Sequence, residues 1–271
     1  MKILVTNDDG IDAVGLHVLA RRLTQVSDVL VVAPDREFSG AGAAIGALHV
    51  IRPEVRPADI AGVAESWSVS GPPALCVTLA RLGVFGAHID LVVSGINPGA
   101  NTGRAVYHSG TVGAALTARN GDLPGLAVSQ AVAGFGVEGQ GWGSEMADQQ
   151  WETAAEIGAR VAEAMLAADD RPPVVVNLNV PNLALGDIAG WKRSEVAHLP
   201  PRAIVNAALV PKIGHDDVYD VTMDWGDPID LPPDSDSGAV EAGYVTVTAL
   251  TRLVDDPSVD LAAVSAALDG I

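Results

Sequence analysis

Short runs of unbroken apolar residues, each followed by a stretch whose leucines and valines return every three or four positions, constrain this chain most. Lys2-Ile3-Leu4-Val5-Thr6 is the first such run; Leu16, Leu19, Leu23 and Val26 then recur at helical spacing before a second run, Val29-Leu30-Val31-Val32-Ala33. Strand, helix and strand in that order make one β-α-β unit. A segment near 66–70 leads into Gly71-Pro72-Pro73 and a helix through Arg81, and Ile89-Asp90-Leu91-Val92-Val93 is a strand of the buried type. Beyond Ser109-Gly110-Thr111 a helix runs through Arg119 to the strand Leu126-Ala127-Val128, and residues 151–168 are helical ahead of Val174-Val175-Val176-Asn177-Leu178. A strand that is apolar at successive positions is covered on both faces. The alternation therefore predicts an α/β, Rossmann-like, mostly parallel sheet with helices on both faces.

Character changes after residue 181. Pro, Asp and Gly become frequent, helical periodicity is absent until 258–268, and stretches near 188–196, 204–210 and 243–250 read as irregular strands. The expected organisation is a Rossmann-like core over 1–181, an extended β-rich arm over 182–257 and a C-terminal helix over 258–271. Residues 131–148, rich in Gly and Gln, read as a loop.

Composition limits the partners. The 271 residues are 48% hydrophobic, enough to bury a large core, while 34 acidic against 16 basic residues leave a net charge of −18. Such a surface repels nucleic-acid polymers and acidic membranes, so small partners are expected. An acidic protein that handles an anionic substrate needs local positive charge, and a divalent ion supplies it. Apolar stretches stay short of the ~20 residues of a bilayer span, and the N-terminus lacks a basic region followed by an apolar signal segment. A cytoplasmic protein is expected. The single Cys76 excludes an internal disulfide, and His17, His49, His88, His198 and His215 lack the spacing of a metal cluster.

In open parallel sheets, ligands collect beyond the carboxyl ends of the strands. The first strand ends there in Asn7-Asp8-Asp9-Gly10, the second in Ala33-Pro34-Asp35-Arg36-Glu37-Phe38-Ser39-Gly40, and the strand at 89–93 in Ser94-Gly95-Ile96-Asn97-Pro98. Consecutive strand residues face opposite ways, so Asp8 and Asp9 serve one cation only if the chain bends between them, and Asp9-Gly10 is a turn-forming pair. Asp8, Asp9, Ser39 and Asn97 together make an all-oxygen set suited to Mg²⁺ or Mn²⁺. Each taken alone also reads as an ordinary turn or loop residue; their shared sheet edge is what favours a site. Ser109-Gly110-Thr111 opens a helix, where free backbone N–H groups and the helix dipole suit a phosphate, although a Ser or Thr at that boundary is most often a cap. No Walker sequence and no glycine-rich dinucleotide fingerprint follow the first strand.

These motifs, in this order, resemble the stationary-phase survival protein SurE family. The resemblance lies in Lys2 through Ile11, Val32-Ala33-Pro34-Asp35-Arg36 through Ser39-Gly40, Val92 through Asn97 with Gly99-Ala100-Asn101, and Ser109 through Ala115; it returns weakly at Asn177-Leu178-Asn179-Val180-Pro181 and Gly243 through Thr248. It implies a phosphatase of nucleoside 5′- and 3′-monophosphates, in some members also of short polyphosphate, with one Mg²⁺ or Mn²⁺ per subunit. By position, the family's metal ligands fall on Asp8, Asp9, Ser39 and Asn97, and its phosphate contacts on Asn101, Ser109, Gly110 and Thr111. It also implies a homodimer or homotetramer that exchanges the C-terminal arm. The chain departs from the family's pattern at Gly42, His108 and Ala249.

The expected chemistry is charge stabilisation on the phosphate oxygens, most of what phosphoryl transfer asks of a protein. Asp8 either orients or deprotonates an attacking water or attacks phosphorus itself; water is favoured, because a ligand carboxylate is a poor nucleophile. Two other readings use the same residues: a noncatalytic nucleotide-binding module, and a metal-dependent glycosyl or nucleotidyl transferase.

Overall fold

Apolar residues at every position of Ile3-Leu4-Val5 give β1 (Lys2–Thr6) two buried faces, and the rest of the fold is laid against them. The structure is a computed structural model that describes residues 1–48, 50, 52–132, 148–169, 172–199, 204–227, 229–251 and 253–268. After β1 come α1 (Val14–Leu23), β2 (Asp28–Pro34), β3 (Val55–Pro57), β4 (Glu65–Val69), α2 (Pro73–Arg81) and β5 (Leu91–Pro98). A 3-10 turn at Gly103–Tyr107 precedes α3 (Gly110–Asn120), β6 (Gly125–Gln130), α4 (Trp151–Ala167) and β7 (Val175–Val180). The chain ends in β8 (Trp191–Arg193), β9 (Ile204–Pro211), β10 (Tyr219–Trp225), α5 (Asp236–Glu241), β11 (Val245–Leu250) and α6 (Ala262–Leu268).

Among the described residues the main sheet runs β3-β4-β2-β1-β5-β6-β7-β11-β8. From β4 to β7 every pairing is parallel, as the buried-type strands predict, while β3 and β11 run antiparallel to β4 and β7. β1 pairs with β2 on one side and β5 on the other, so the strand order reverses beside it and leaves a crevice at its carboxyl end.

Helices cover both faces. Ile3 and Val5 pack with Leu16, Leu19 and Leu23 of α1 and with Ala155, Ala159 and Ala162 of α4. Leu4, Leu30 and Val32 point the other way, onto Leu75, Cys76 and Val77 of α2 and Ala114 and Ala118 of α3. An ion pair from Arg22 Nε to Glu156 Oε2 at 2.7 Å ties α1 to α4. Fully burying a Leu, Ile or Val side chain contributes about 1.5–3 kcal/mol, so these two layers outweigh any surface pair.

Within 182–257 the structure distinguishes two parts. β11 pairs with β7 and β8 with β11, so the stretches near 188–196 and 243–250 extend the central sheet rather than an arm. Among the described residues of this stretch only β9 and β10 form a separate sheet, an antiparallel hairpin whose Val205, Leu209, Val221 and Met223 are all exposed. Within the expected 258–271 helix, α6 occupies Ala262–Leu268 and buries no residue. Of the expected loop 131–148, residues 133–147 lie outside the described residues, as does His49. No helix of the described residues is long and apolar enough to cross a membrane.

Candidate functional site

The site forms where β1, β2 and β5 end. Asn7 closes the turn after β1 on itself: its Nδ2 donates to Gly10 O at 3.0 Å and its Oδ1 accepts from Gly10 N at 3.3 Å. The bend places Asp8 in the interior, 3% exposed, with Asp9 half-buried beside it. The loop after β2 is stitched to the same turn, with Phe38 N donating to Asp8 O at 2.7 Å and Ile11 N to Pro34 O at 2.8 Å.

β5 contributes through an irregularity. Its register against β6 shifts between Gly95 and Asn97, which places one extra residue in β5. Simple alternation would put Ile96 with Val92, yet Ile96 packs with Leu91 and Val93 on the α1–α4 side. The bulge therefore turns Asn97 toward α3, a common use of bulges beside active sites. Only Gly fits at position 95, since a Cβ there would lie 2.2 Å from Val128 O.

Helix α3 arrives end-on. Ser109 caps it, its Oγ accepting from Val112 N at 3.1 Å. Gly110 lets the first turn press against the carboxylate: a Cβ at that position would stand 2.7 Å from Asp8 Cβ. Thr111 donates its hydroxyl hydrogen to Asp8 Oδ1, and the Thr111 Oγ1 itself lies 3.3 Å from Asn97 Oδ1. Thr111, expected to contact phosphate, thus also joins two of the expected metal ligands. Asn97 donates from Nδ2 to Gly99 O at 2.7 Å, which leaves its Oδ1 on the site side.

Asn101 is buried and pinned from several directions. Its N donates to Asn179 Oδ1 at 2.8 Å, its O accepts from Asn177 Nδ2 at 2.8 Å and Asn179 Nδ2 at 3.2 Å, and its Nδ2 donates to Ser129 Oγ at 2.9 Å. Sequence reasoning missed these supports; the polar residues Asn177 and Asn179 inside an otherwise apolar strand were the available signal. Ser39 is half-buried, and its hydroxyl donates to Glu37 Oε1 at 2.8 Å rather than to either aspartate. A donated hydrogen leaves the Ser39 oxygen able to act as a ligand, and Glu37 adds a carboxylate that the sequence reading had passed over. Gly42 N donates to His108 O at 2.9 Å, docking this loop on the entrance to α3, while His108 itself is exposed.

Electrostatics favour a cation here. Burial raises the Asp8 pKa, opposed by the Thr111 hydroxyl and by backbone N–H groups of Thr111 and Gly110. Asp9 is pushed well above the usual carboxylate range by burial first, then by the charges of Asp8 and Glu37. Among the described residues, Asp9 Oδ2 is buried without a hydrogen-bond partner. Buried carboxylate oxygens are rarely left so, and clustered like charges are what a hard divalent ion neutralises. Among the described residues no group of three His, Cys, Asp or Glu side chains is arranged to hold a metal ion by itself. An ion would accordingly rest on two carboxylates and neutral oxygens, a donor set that fits Mg²⁺ or Mn²⁺.

A Rossmann-like protein with an acidic, oxygen-rich site at its sheet's switch point is the class that fold and geometry define. Within that class the chain belongs to the SurE family, whose model, described as Survival protein SurE, matches residues 3–201. It is 36% identical over 252 residues to 5'-nucleotidase SurE of Haemophilus influenzae (strain PittGG), covering 92% of this chain and 90% of that protein. To 5'/3'-nucleotidase SurE of Erwinia tasmaniensis it is 36% identical over 255 residues, covering 92% and 90%. The crystal structure of SurE protein from Aquifex aeolicus superposes with a TM-score of 0.75 at 27% identity, over 99% of this chain and 100% of that one.

Proposed function

We propose that this protein is a divalent-metal-dependent phosphatase that hydrolyses nucleoside 5′- and 3′-monophosphates to nucleoside and phosphate, with short polyphosphate as a further substrate to be tested. The observation that carries the reading is the junction of Asp8, Thr111 and Asn97 at the N-terminus of α3, beside the unpartnered Asp9 Oδ2. The names of the curated relatives, 5'-nucleotidase and 5'/3'-nucleotidase, support the substrate class.

In this reading Asp8, Asp9, Ser39 and Asn97 hold one Mg²⁺ or Mn²⁺ per subunit. A bound ion would supply positive charge at the phosphate and so favour attack on phosphorus. Asn101, through its side-chain amide, and the Ser109-Gly110-Thr111 terminus, through the Ser109 hydroxyl and the positive end of the α3 dipole, hold the remaining phosphate oxygens. Such donors act because charge spreads over those oxygens as the ester bond breaks. Asp8, gripped by Thr111, is the group placed to orient an attacking water and take its proton. As the water oxygen bonds to phosphorus, the ester P–O bond on the opposite side breaks and the nucleoside oxygen leaves, taking a proton from solvent.

The protein is further read as cytoplasmic and as a homodimer or homotetramer joined through the β9–β10 hairpin, whose exposed apolar residues favour burial against a second copy. Phosphate release should be measured across nucleoside 5′- and 3′-monophosphates and short polyphosphate, with and without chelator. Metal-dependent release from the monophosphates is the expected result. Tight nucleotide binding without release would leave the binding-module reading standing, and transfer to an acceptor the transferase reading.

A further inference from the structure

Behind the segment that joins Asn101 to Thr111 lies a buried carboxylate that the chemistry above does not use. Asp236 opens α5 and is 0% exposed. Its oxygens accept backbone N–H groups from three parts of the chain: Gly103 at 3.1 Å, Ala197 at 2.9 Å and Ser237 at 2.8 Å. Ser237 adds a second tie, its Oγ donating to Thr102 Oγ1 at 2.9 Å. An acid in the first turn of a helix is usually there to complement the helix dipole. That role does not explain this one, because Ser235 already caps α5, accepting from Gly238 N at 3.1 Å. Burying a carboxylate is costly unless hydrogen bonds offset it, and two of those bonds reach far along the chain.

What they reach is informative. Gly103 stands two residues after Asn101 and begins the 3-10 turn that leads to Ser109. Asn177 and Asn179 of β7 fix the Asn101 backbone directly, so the loop is held between β7 and α5. Ala197 and Asp236 flank the β9–β10 hairpin, and Asp236 N donates to Glu195 O at 2.8 Å, closing the hairpin's base at the same spot.

We propose that Asp236 is a positioning residue that grips Gly103 and Ala197 together, setting Asn101 relative to the α3 terminus and coupling the base of the β9–β10 arm to the phosphate-holding loop. The inference rests on the reading of Asn101 and Ser109–Thr111 as phosphate-holding. Asp236→Asn keeps the shape but turns one acceptor into a donor facing backbone N–H groups. The full-length variant should lose about tenfold in kcat with KM changed less than about twofold, as expected when orientation rather than binding is lost. Its Mn²⁺ affinity should equal wild type. Hydrogen exchange of the 102–109 amides should speed by about tenfold while that of β1 stays unchanged. Thr102→Val, which removes the Ser237 tie, should move both readouts in the same direction by less, and it decides the matter if Asp236→Asn does not fold. Unchanged kcat and unchanged exchange at 102–109 would overturn the proposal, as would a general rise in exchange accompanied by loss of Mn²⁺ binding. If the wild type releases no phosphate from nucleotides, the functional reading fails, and the exchange measurement still tests the clamp.

Discussion

Single residues decide this site by how closely they let backbone and carboxylate approach. Gly110 shows this against the carboxylate itself, with no room for a Cβ beside Asp8. Gly110→Ala should destabilise the protein by roughly 1–3 kcal/mol, the usual cost of overpacking, and lower turnover by displacing Asp8. Urea unfolding and phosphate release check both effects; a variant with wild-type stability and turnover would show that the contact relaxes freely. At this scale much of the site was legible. Adjacent aspartates before a glycine announce a charged turn, and Ser109 reads as a cap from its position alone. The bond from Thr111 to Asp8 was not legible, since it joins residues 103 positions apart and no local pattern encodes it.

At the scale of elements, periodicity served well for the buried strands and the helices, because burial on one or two faces writes itself into apolar spacing. It failed where burial is absent or alternation breaks. The short edge strand β3 carries no such imprint, β10 alternates apolar and polar residues although it is exposed, so its pattern records pairing with β9 and not burial, and the bulge that turns Asn97 toward α3 left only Gly95 as a trace. The α1–α4 contact supports a prediction about pH. Arg22 first, then Arg160, hold the Glu156 pKa below its ordinary value. A lowered folded pKa means that the pair's stabilisation is present above the unfolded pKa and is lost as pH falls through the folded one. Glu156→Gln should therefore reduce stability near neutral pH by roughly 0.2–1 kcal/mol, as partly exposed pairs do. The difference from wild type should shrink as pH falls through the lowered pKa; denaturant midpoints followed from pH 7 into the acid range test this, and a deficit that stays constant would refute it.

For the molecule as a whole, the change of composition after residue 181 was visible, but the return of β11 and β8 to the sheet was not. A strand that joins an edge antiparallel has the same alternation as one in a free arm; only pairing with β7 distinguishes them. If the proposed homodimer or homotetramer forms through the β9–β10 hairpin, replacing 204–225 with a short Gly-Ser linker should leave the sheet folded and lower the mass seen by light scattering to that of a monomer. An unchanged mass would place the subunit contact elsewhere. A cation held at Asp8 and Asp9, as proposed, is tested by titrating metal-free protein with Mn²⁺ while following bound ion by paramagnetic resonance and phosphate release from adenosine 5′-monophosphate. One ion should bind per subunit, release should rise in step with occupancy, and folded Asp8→Asn should bind the ion more weakly and lose about a hundredfold or more in kcat/KM. Release at the wild-type rate in excess chelator, or wild-type activity of Asp8→Asn at limiting metal, would contradict it.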